Sequence, residues 1–229
     1  MSETVKNRIR TLSVVIPTLN AAASLPAALA ALRGVPDEVV VADGGSGDGT
    51  AALAERLGAR VVIAPRGRGA QLAAGAAAAR GDWLLLLHAD TKLDPAWPEV
   101  AREFMAMHPD RAGFFRFVLD VDDHHARRLE RLVAWRCRRL GLPYGDQGLL
   151  VSRALLDSIG GIRPLPLMED VDLARRIGRR RLIALKVAAV TSAARWQRDG
   201  WYRRSLRNLC CLALYHAGVP PRLLARFYS

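Results

Sequence analysis

Trp83-Leu84-Leu85-Leu86-Leu87-His88-Ala89-Asp90 is an apolar run that ends abruptly on a histidine and a carboxylate. A strand with one wet face alternates apolar and polar residues. This one does not alternate, so it predicts a strand buried on both faces whose carboxyl end meets solvent at Ala89-Asp90. The same signature recurs upstream. Leu12-Ser13-Val14-Val15-Ile16 stops at Pro17, and Glu38-Val39-Val40-Val41-Ala42 stops at Asp43-Gly44-Gly45-Ser46-Gly47-Asp48-Gly49. Residues 60–64 form a further strand. Between the strands lie helical stretches with start and stop signals. One is capped by Ser24, with Pro26 in its first turn and Gly34 past its end. Another runs from Thr50 to Leu57, and an alanine-rich one from about Gly69 to Arg80. Strands alternating with helices of about 10–12 residues call for βαβ units, hence an α/β fold with a mostly parallel sheet flanked by helices.

Beyond Asp90 the pattern loosens. Helices are expected from Pro95 to Met107, His124 to Leu140, Glu169 to Arg180 and Asp199 to Ala217, with a shorter one ending at Ile159. Strands are expected over Gly113 to Leu119, Gly148 to Ser152 and Leu182 to Val190. A break near Asp120 divides one domain, residues 1–229, into halves of residues 12–120 and 121–229 with no flexible linker between them. No repeat of about 20–50 residues is visible, which argues against a solenoid.

The 229 residues, 51% of them hydrophobic, suffice for one domain with a proper core. Lys and Arg number 34 against 22 Asp and Glu, a net charge of +12. That balance points to an anionic partner such as a nucleotide diphosphate, a phospholipid surface or a nucleic acid; arginines spread over solvated faces would give the same excess. Cys137, Cys210 and Cys211 make neither a disulfide framework nor a zinc-ligand spacing, and fit a reducing cytosol. The N-terminus shows no apolar signal segment. The longest apolar runs are about half of the ~20 residues a membrane span needs. The expectation is a cytoplasmic protein, soluble or peripheral at the inner face of the membrane.

Ligands of open parallel sheets bind beyond the carboxyl ends of the strands, where Asp43 and Asp90 both fall. The glycines after Asp43 allow close backbone approach to a ligand, and a carboxylate there can accept from a base edge or a ribose hydroxyl; a turn with Asp43 as its cap reads equally well. The glycine spacing is not that of a dinucleotide-binding loop. Asp90 can hold Mg²⁺ or Mn²⁺ against a diphosphate. His88, two residues earlier and on the same side of the strand, is either a second metal ligand or an ordinary hydrogen-bonded histidine. Glu169-Asp170, followed by Asp172, opens a helix. Acidic residues there are ordinary dipole partners, or they present a general base whose pKa is raised by like-charged neighbours. Tyr144-Gly145-Asp146-Gln147-Gly148 puts polar groups just before a strand and reads either acceptor hydroxyls or a turn capped by Asp146. Arg68, with Arg66, sits in a glycine-punctuated loop that either contacts a diphosphate or sugar or is simply solvated; the two read equally well.

Taken together and in order, these segments resemble glycosyltransferase family 2. Val14-Val15-Ile16-Pro17-Thr18-Leu19-Asn20 resembles the family's first strand and nucleotide loop, which implicates Pro17, Thr18 and Asn20. Asp43-Gly44-Gly45-Ser46-Gly47-Asp48-Gly49-Thr50 is similar to the second, implicating Asp43 and Gly45 in holding the base. His88-Ala89-Asp90 matches the position of the Asp-x-Asp metal motif, Glu169-Asp170 the Glu-Asp pair whose aspartate is the base, and Arg195-Trp196 the end of Gln-x-x-Arg-Trp. The resemblance covers about Leu12 to Trp201. It implies a GT-A fold and an inverting, metal-dependent transfer from a UDP- or GDP-sugar to a hydroxyl acceptor. Gly145, Asp146, Gln147, Arg195 and Trp196 then fall on the acceptor side. The short bacterial set linked to arsenosugar biosynthesis shares the His-Ala-Asp-Thr, Gly-Asp-Gln-Gly and Arg-Trp segments. Two departures stand out. His88 replaces the first aspartate of the metal motif, and Thr191-Ser192-Ala193-Ala194 supplies no glutamine before Arg195. With no membrane span, that argues for a non-processive enzyme.

The helix from His124 to Leu140 carries Arg127, Arg128, Arg131, Arg138 and Arg139 beside Leu129, Leu132, Val133 and Leu140. It reads as a core-packing helix with a charged outer face, or as a docking element for an anionic membrane. A nucleotidyltransferase could use the same sheet and metal carboxylate. A nucleic-acid-binding module rests on charge alone, without a recognition motif or interleaved aromatics, so no nucleic-acid partner is expected.

Overall fold

A computed structural model describes residues 10–228. One eight-stranded sheet runs through it: β1 (Leu12–Thr18), β2 (Glu38–Asp43), β3 (Arg60–Ile63), β4 (Trp83–Leu86), β5 (Thr91–Leu93), β6 (Ala112–Leu119), β7 (Leu149–Ser152) and β8 (Leu182–Thr191). Their order is β3-β2-β1-β4-β7-β6-β8-β5. The first four in that order are parallel neighbours, as expected of βαβ units. β7 enters antiparallel to both β4 and β6, β6 and β8 are parallel, and β5 closes the edge antiparallel to β8.

The buried strands were legible because both faces are covered. Val14 and Ile16 of β1 pack on the side of α1 (Leu25–Ala30) and α4 (Trp97–Met107), with Trp97 and Phe104. Val15 packs on the other side, against Leu72 and Ala76 of α3 (Arg68–Ala78) and among side chains of α6 (Arg153–Ser158) and α7 (Glu169–Ile177). The α3 backbone lies so close to β1 that a Cβ on Gly75 would collide with Val15. The remaining helices are α2 (Thr50–Arg56), α5 (His124–Leu140), α8 (Ala194–Asp199), α9 (Trp201–His216) and α10 (Pro221–Tyr228).

Several boundaries differ from expectation, each for a local reason. β1 continues through Pro17 to Thr18 beside β2, because β4 pairs with β1 only as far as Val15 and no ladder there needs the missing N–H. β4 ends at Leu86, so His88 and Asp90 lie in the turn after the strand, where Thr91 N donates to His88 O at 3.2 Å. Ser24 does not cap α1. It is itself helical, and Ala21 O already accepts from the amides of Ser24 and Leu25. The helix expected from Asp199 begins at Trp201, because Gly200, whose φ of 84° favours glycine, separates it from an unexpected α8, and α10 follows it. β5, three residues long, was too short to leave a pattern.

Candidate active site

The loops after β1 and β2 form one hydrogen-bonded unit. Asp43 is buried, and its carboxylate accepts from Gly45 N (3.0 Å), Ser46 N (2.8 Å), Ser46 Oγ (2.5 Å) and Thr18 Oγ1 (2.9 Å). Burial alone would raise its pKa; the donors from Ser46, Thr18 and Gly45 outweigh that and hold it below the usual carboxylate value. Asn20 ties the two loops together, donating from its amide to Ser46 Oγ and accepting at Oδ1 from Gly47 N. It does so at φ 51°, a left-handed conformation that costs a non-glycine residue on the order of 1 kcal/mol. Gln71 of α3 donates to the carbonyls of Thr18 and Ala42, fixing the ends of β1 and β2.

Two adjoining clefts open at the strand ends, enclosing about 1080 and about 760 Å³ of space including their mouths. Pro17, Thr18, Asn20, Arg66 and Gln71 line the first. Tyr144, Asp146, Met168, Asp170, Trp196 and Asn208 line the second. His88, Asp90, Arg68, Glu169 and Arg195 face both, and so form the junction. Arg195 reaches Asp90 at 3.6 Å, and Arg68 reaches the buried Glu169 at 3.3 Å. The His88 imidazole is held well below its usual pKa, first by burial and then by the charges of Arg68 and Arg195, so it is neutral at pH 7. Its Nε2 is buried without a hydrogen-bond partner.

Glu169 and Asp170 begin α7 because Met168 turns the chain there at φ 65°, the second left-handed non-glycine residue to line the clefts. The two acids then part company. Glu169 is pushed up to about 7, mainly by burial and next by the charge of Asp170, with Arg68 opposing. Asp170 accepts from Val171 N at 2.8 Å and from Gly145 N at 3.0 Å, and its carboxylate faces the second cleft. Asp172 is taken up by Arg163 and Arg176 and belongs to the scaffold. Gly145 fits against the His88 ring so tightly that a Cβ there would meet Nε2 at 2.5 Å. Asp146 is pushed up to about 6 by burial, with Arg136 opposing and Asp170 adding to the rise. Its Oδ1, like Trp196 Nε1 and Asn208 Oδ1, has no hydrogen-bond partner.

The residues read from sequence thus divide. Pro17, Thr18, Asn20, Arg68, His88, Asp90, Asp146, Glu169, Asp170, Arg195 and Trp196 line the joined clefts. Asp43 and Gly45 lie behind the first cleft, within the loop that shapes it. Gln147 corrects an expectation: rather than facing an acceptor it is buried, donating to Phe115 O at 3.1 Å and accepting from Tyr144 N and Arg136 Nη2. Its neighbours turn it inward because the Gly145–Gln147 turn is a 3-10 helix with Asp146 on the cleft side. Gln71, Arg204 and Asn208 were missed: Gln71 is a single polar residue in the alanine-rich α3, and α9, which carries the other two, reaches the cleft only through tertiary packing.

Residues 13–149, more than half of the chain, match the model of glycosyl transferase family 2. The chain belongs to that family. An uncharacterised glycosyltransferase of Rickettsia bellii is 34% identical over 143 residues, 61% of this chain and 48% of that protein. One from Mycobacterium tuberculosis is 43% identical over 83 residues, 36% of this chain and 38% of the relative. The chain therefore spans less than half the length of these curated relatives. Among solved structures, mannosyl-3-phosphoglycerate synthase from Rubrobacter xylanophilus superposes with a TM-score of 0.62 at 19% identity, covering 92% of this chain and 76% of that one. Glucosyl-3-phosphoglycerate synthase from M. tuberculosis, in complex with Mn²⁺, UDP-glucose and phosphoglyceric acid, gives 0.54 at 24%, covering 80% and 70%. At such identities the likeness concerns the fold, which is that of the GT-A transferases.

Proposed function

We propose that this family member transfers a single sugar from a nucleotide-diphospho-sugar to a hydroxyl acceptor with inversion. The observation that carries the reading is that Asp90 and Asp170 open onto one cleft at the strand ends, with Arg68 and Arg195 beside them. We assign residues 12–120 to the donor and residues 121–229 to the acceptor and the base.

In this reading Pro17, Thr18 and Asn20 cradle the nucleotide, and Asp43 and Gly45 serve by holding the loop in shape. Arg68 faces the diphosphate. Asp90 opens on both clefts and would hold Mg²⁺ or Mn²⁺ against the diphosphate oxygens, with the neutral His88 beside it and its Nε2 packed against Gly145. When bound, the ion supplies charge neutralisation to the departing diphosphate. The acceptor oxygen attacks the anomeric carbon from the face opposite the leaving group, the bond from that carbon to phosphate oxygen breaks, and the acceptor proton passes to Asp170. The Gly145 amide aims that carboxylate. Glu169, paired with Arg68, holds the guanidinium in place. Alignment in a cleft screened from water supplies much of the rate.

The acceptor is a hydroxyl compound carrying a phosphate, small or lipid-borne. Arg195, Arg204 and Asn208 on the acceptor side support this, as do the phosphoglyceric acid and glycerol 3-phosphate complexes of the mycobacterial synthase. We also assign the chain to the short arsenosugar-linked set, on His88-Ala89-Asp90-Thr91, Gly145-Asp146-Gln147-Gly148 and Arg195-Trp196. The test is a thermal-shift screen of UDP- and GDP-sugars with and without Mn²⁺, followed by product analysis. A metal-dependent shift with release of nucleoside diphosphate is expected, and Asp90→Asn should abolish the metal dependence. Pyrophosphate release instead would mark a nucleotidyltransferase and overturn the reading.

A further inference from the structure

Large apolar side chains are unevenly exposed. Among the described residues, nine of the thirteen exposed ones belong to α5, α9 and α10, although these helices make up less than a fifth of the chain. On α5 they include Leu132 (62% exposed) and Trp135 (52%). On α9, Tyr202 (68%), Leu206 (63%) and Leu209 (60%) follow one another at spacings of four and three residues, which aligns them in a single stripe. Phe227 of α10 is 70% exposed. The faces of α5 and α9 adjoin: His125 stacks on Trp201 at 5.9 Å, and Arg128 Nη1 lies 3.5 Å from the Tyr202 hydroxyl.

The charge around this surface is mostly of one sign. Residues 131–145 and 200–229 contain no carboxylate and nine arginines, six of them exposed. The acids bordering it include Asp122 and Asp123 at the start of α5 and Asp199, which is paired with Arg198, Arg204 and Arg207. Arg131, Arg138 and Arg139 are exposed on α5, and Arg203 on α9. A face meant for solvent would mix the signs, and a face meant for another protein core would shed charge. Apolar side chains with an exposed tryptophan, bordered mainly by arginines, with acids at the start of α5, match a bilayer whose headgroups are anionic. In the sequence α5 could be a core-packing helix or a docking one; the fold makes it both, with Val133 and Cys137 buried and Leu132 and Trp135 outward.

We propose that the joined outer faces of α5, α9 and α10 dock this protein on an anionic lipid bilayer. This rests on the transfer reading only for its purpose. Arg204 and Asn208 on the inner side of α9 line the second cleft, while Leu206 and Leu209 on its outer side meet the lipid. One helix diameter, about 10 Å, then separates the headgroups from the acceptor side of the cleft. Among the described residues no helix is long and apolar enough to cross a membrane, so the attachment is to the surface.

The experiment is flotation of the full chain with phosphatidylcholine vesicles and with vesicles containing about a third phosphatidylglycerol, at low and high NaCl. The Leu206→Asp/Leu209→Asp variant and an Arg138→Glu/Arg139→Glu variant are run alongside. Expected are at least tenfold more binding to the anionic vesicles and a several-fold loss at high salt. The leucine variant should lose binding about tenfold with an unchanged melting temperature, and Trp135 emission should shift to the blue on binding. No binding, or binding indifferent to both variants, overturns the proposal. So does a dimer dispersed by Leu206→Asp/Leu209→Asp, which would make a second copy the occupant. Nucleotide-sugar turnover measured without vesicles separates the two ideas. Turnover without docking sinks docking alone, and docking without any donor turnover sinks the transfer reading alone.

Discussion

Asp43 and Asp146 are both held away from water beside the clefts, and the protein treats them in opposite ways. Asp43 accepts four hydrogen bonds from its own and the neighbouring loop, and its pKa is lowered. Asp146 has an oxygen with no partner, and its pKa rises to about 6. The contrast extends to their surroundings. Around Asp43 the loops of β1 and β2 are closed on themselves by Asn20, Ser46 and Asp48. Around Asp146, the side chains of His88, Trp196 and Asn208 also present buried polar atoms without partners. Unpaired buried groups cost about 1–3 kcal/mol each, and the acceptor we propose for the second cleft would satisfy some of them. The first region is closed on its own hydrogen bonds; the second offers polar atoms to that acceptor.

The comparison breaks most decisively at Asp170. If the second cleft performs the chemistry, Asp170→Asn should lower kcat by about 10²–10⁴-fold, the usual worth of a general base, and leave the nucleotide-sugar thermal shift intact. Retention of full activity in steady-state kinetics would move the reaction elsewhere.

Asp43→Asn tests the other side. An asparagine can keep its carbonyl oxygen toward the N–H groups of Gly45 and Ser46 only by turning its NH2 on the hydroxyls of Thr18 and Ser46, and the loss of charge-assisted bonds should cost about 2–3 kcal/mol. Calorimetry should show a melting temperature lower by roughly 5–10 °C. Weaker nucleotide-sugar stabilisation should accompany it as the loop loosens. A variant as stable as the parent would mean that the four hydrogen bonds do not shape the loop.

The same contrast decides what could be read from sequence. The Asp43 region is local: a buried strand followed by glycines and short polar residues announces both its turn and its position at the end of a parallel sheet. Strands β1, β2 and β4, covered on both faces, were therefore visible, as was the junction at His88 and Asp90. The second cleft draws on α7, the turn at Asp146, the end of β8 and the inner face of α9, segments far apart in the chain. Asp170 and Arg195 came from family resemblance rather than pattern. Gln147 was misjudged because a polar residue beside a glycine turn looks the same whether it faces a substrate or, as here, the carbonyl of Phe115. Asn208 was invisible, since one asparagine in an arginine-rich helix carries no signal until the helix is packed.

A smaller effect follows from the raised acids. Glu169 at about 7 and Asp146 at about 6 keep protons in the folded state that the unfolded chain has released near pH 4. Their contribution to stability is fully present below about pH 4 and is lost as pH rises through 6 and 7. Between pH 5 and 8 the parent should lose roughly 1 kcal/mol from Asp146 and roughly 2 kcal/mol from Glu169, and Asp146→Asn and Glu169→Gln should each flatten that slope in urea melts. A slope unchanged in both variants would mean that neither acid is burdened by burial.

The smallest stability effect, and the sharpest discriminator, is expected at Asn208. Its Oδ1 has no partner to lose, so Asn208→Ala should leave stability within about 0.5 kcal/mol, whereas an amide that scaffolds as Gln147 does would cost several times more. A ligand hydrogen bond worth about 1 kcal/mol would nonetheless disappear, raising the acceptor KM by roughly five- to tenfold with the donor KM unmoved. That pairing of an untouched fold with a weakened acceptor is what polar atoms offered to an acceptor predict. Destabilisation with an unchanged acceptor KM would show instead that the free oxygen belongs to the scaffold, and that the two aspartate regions differ in hydration rather than in purpose.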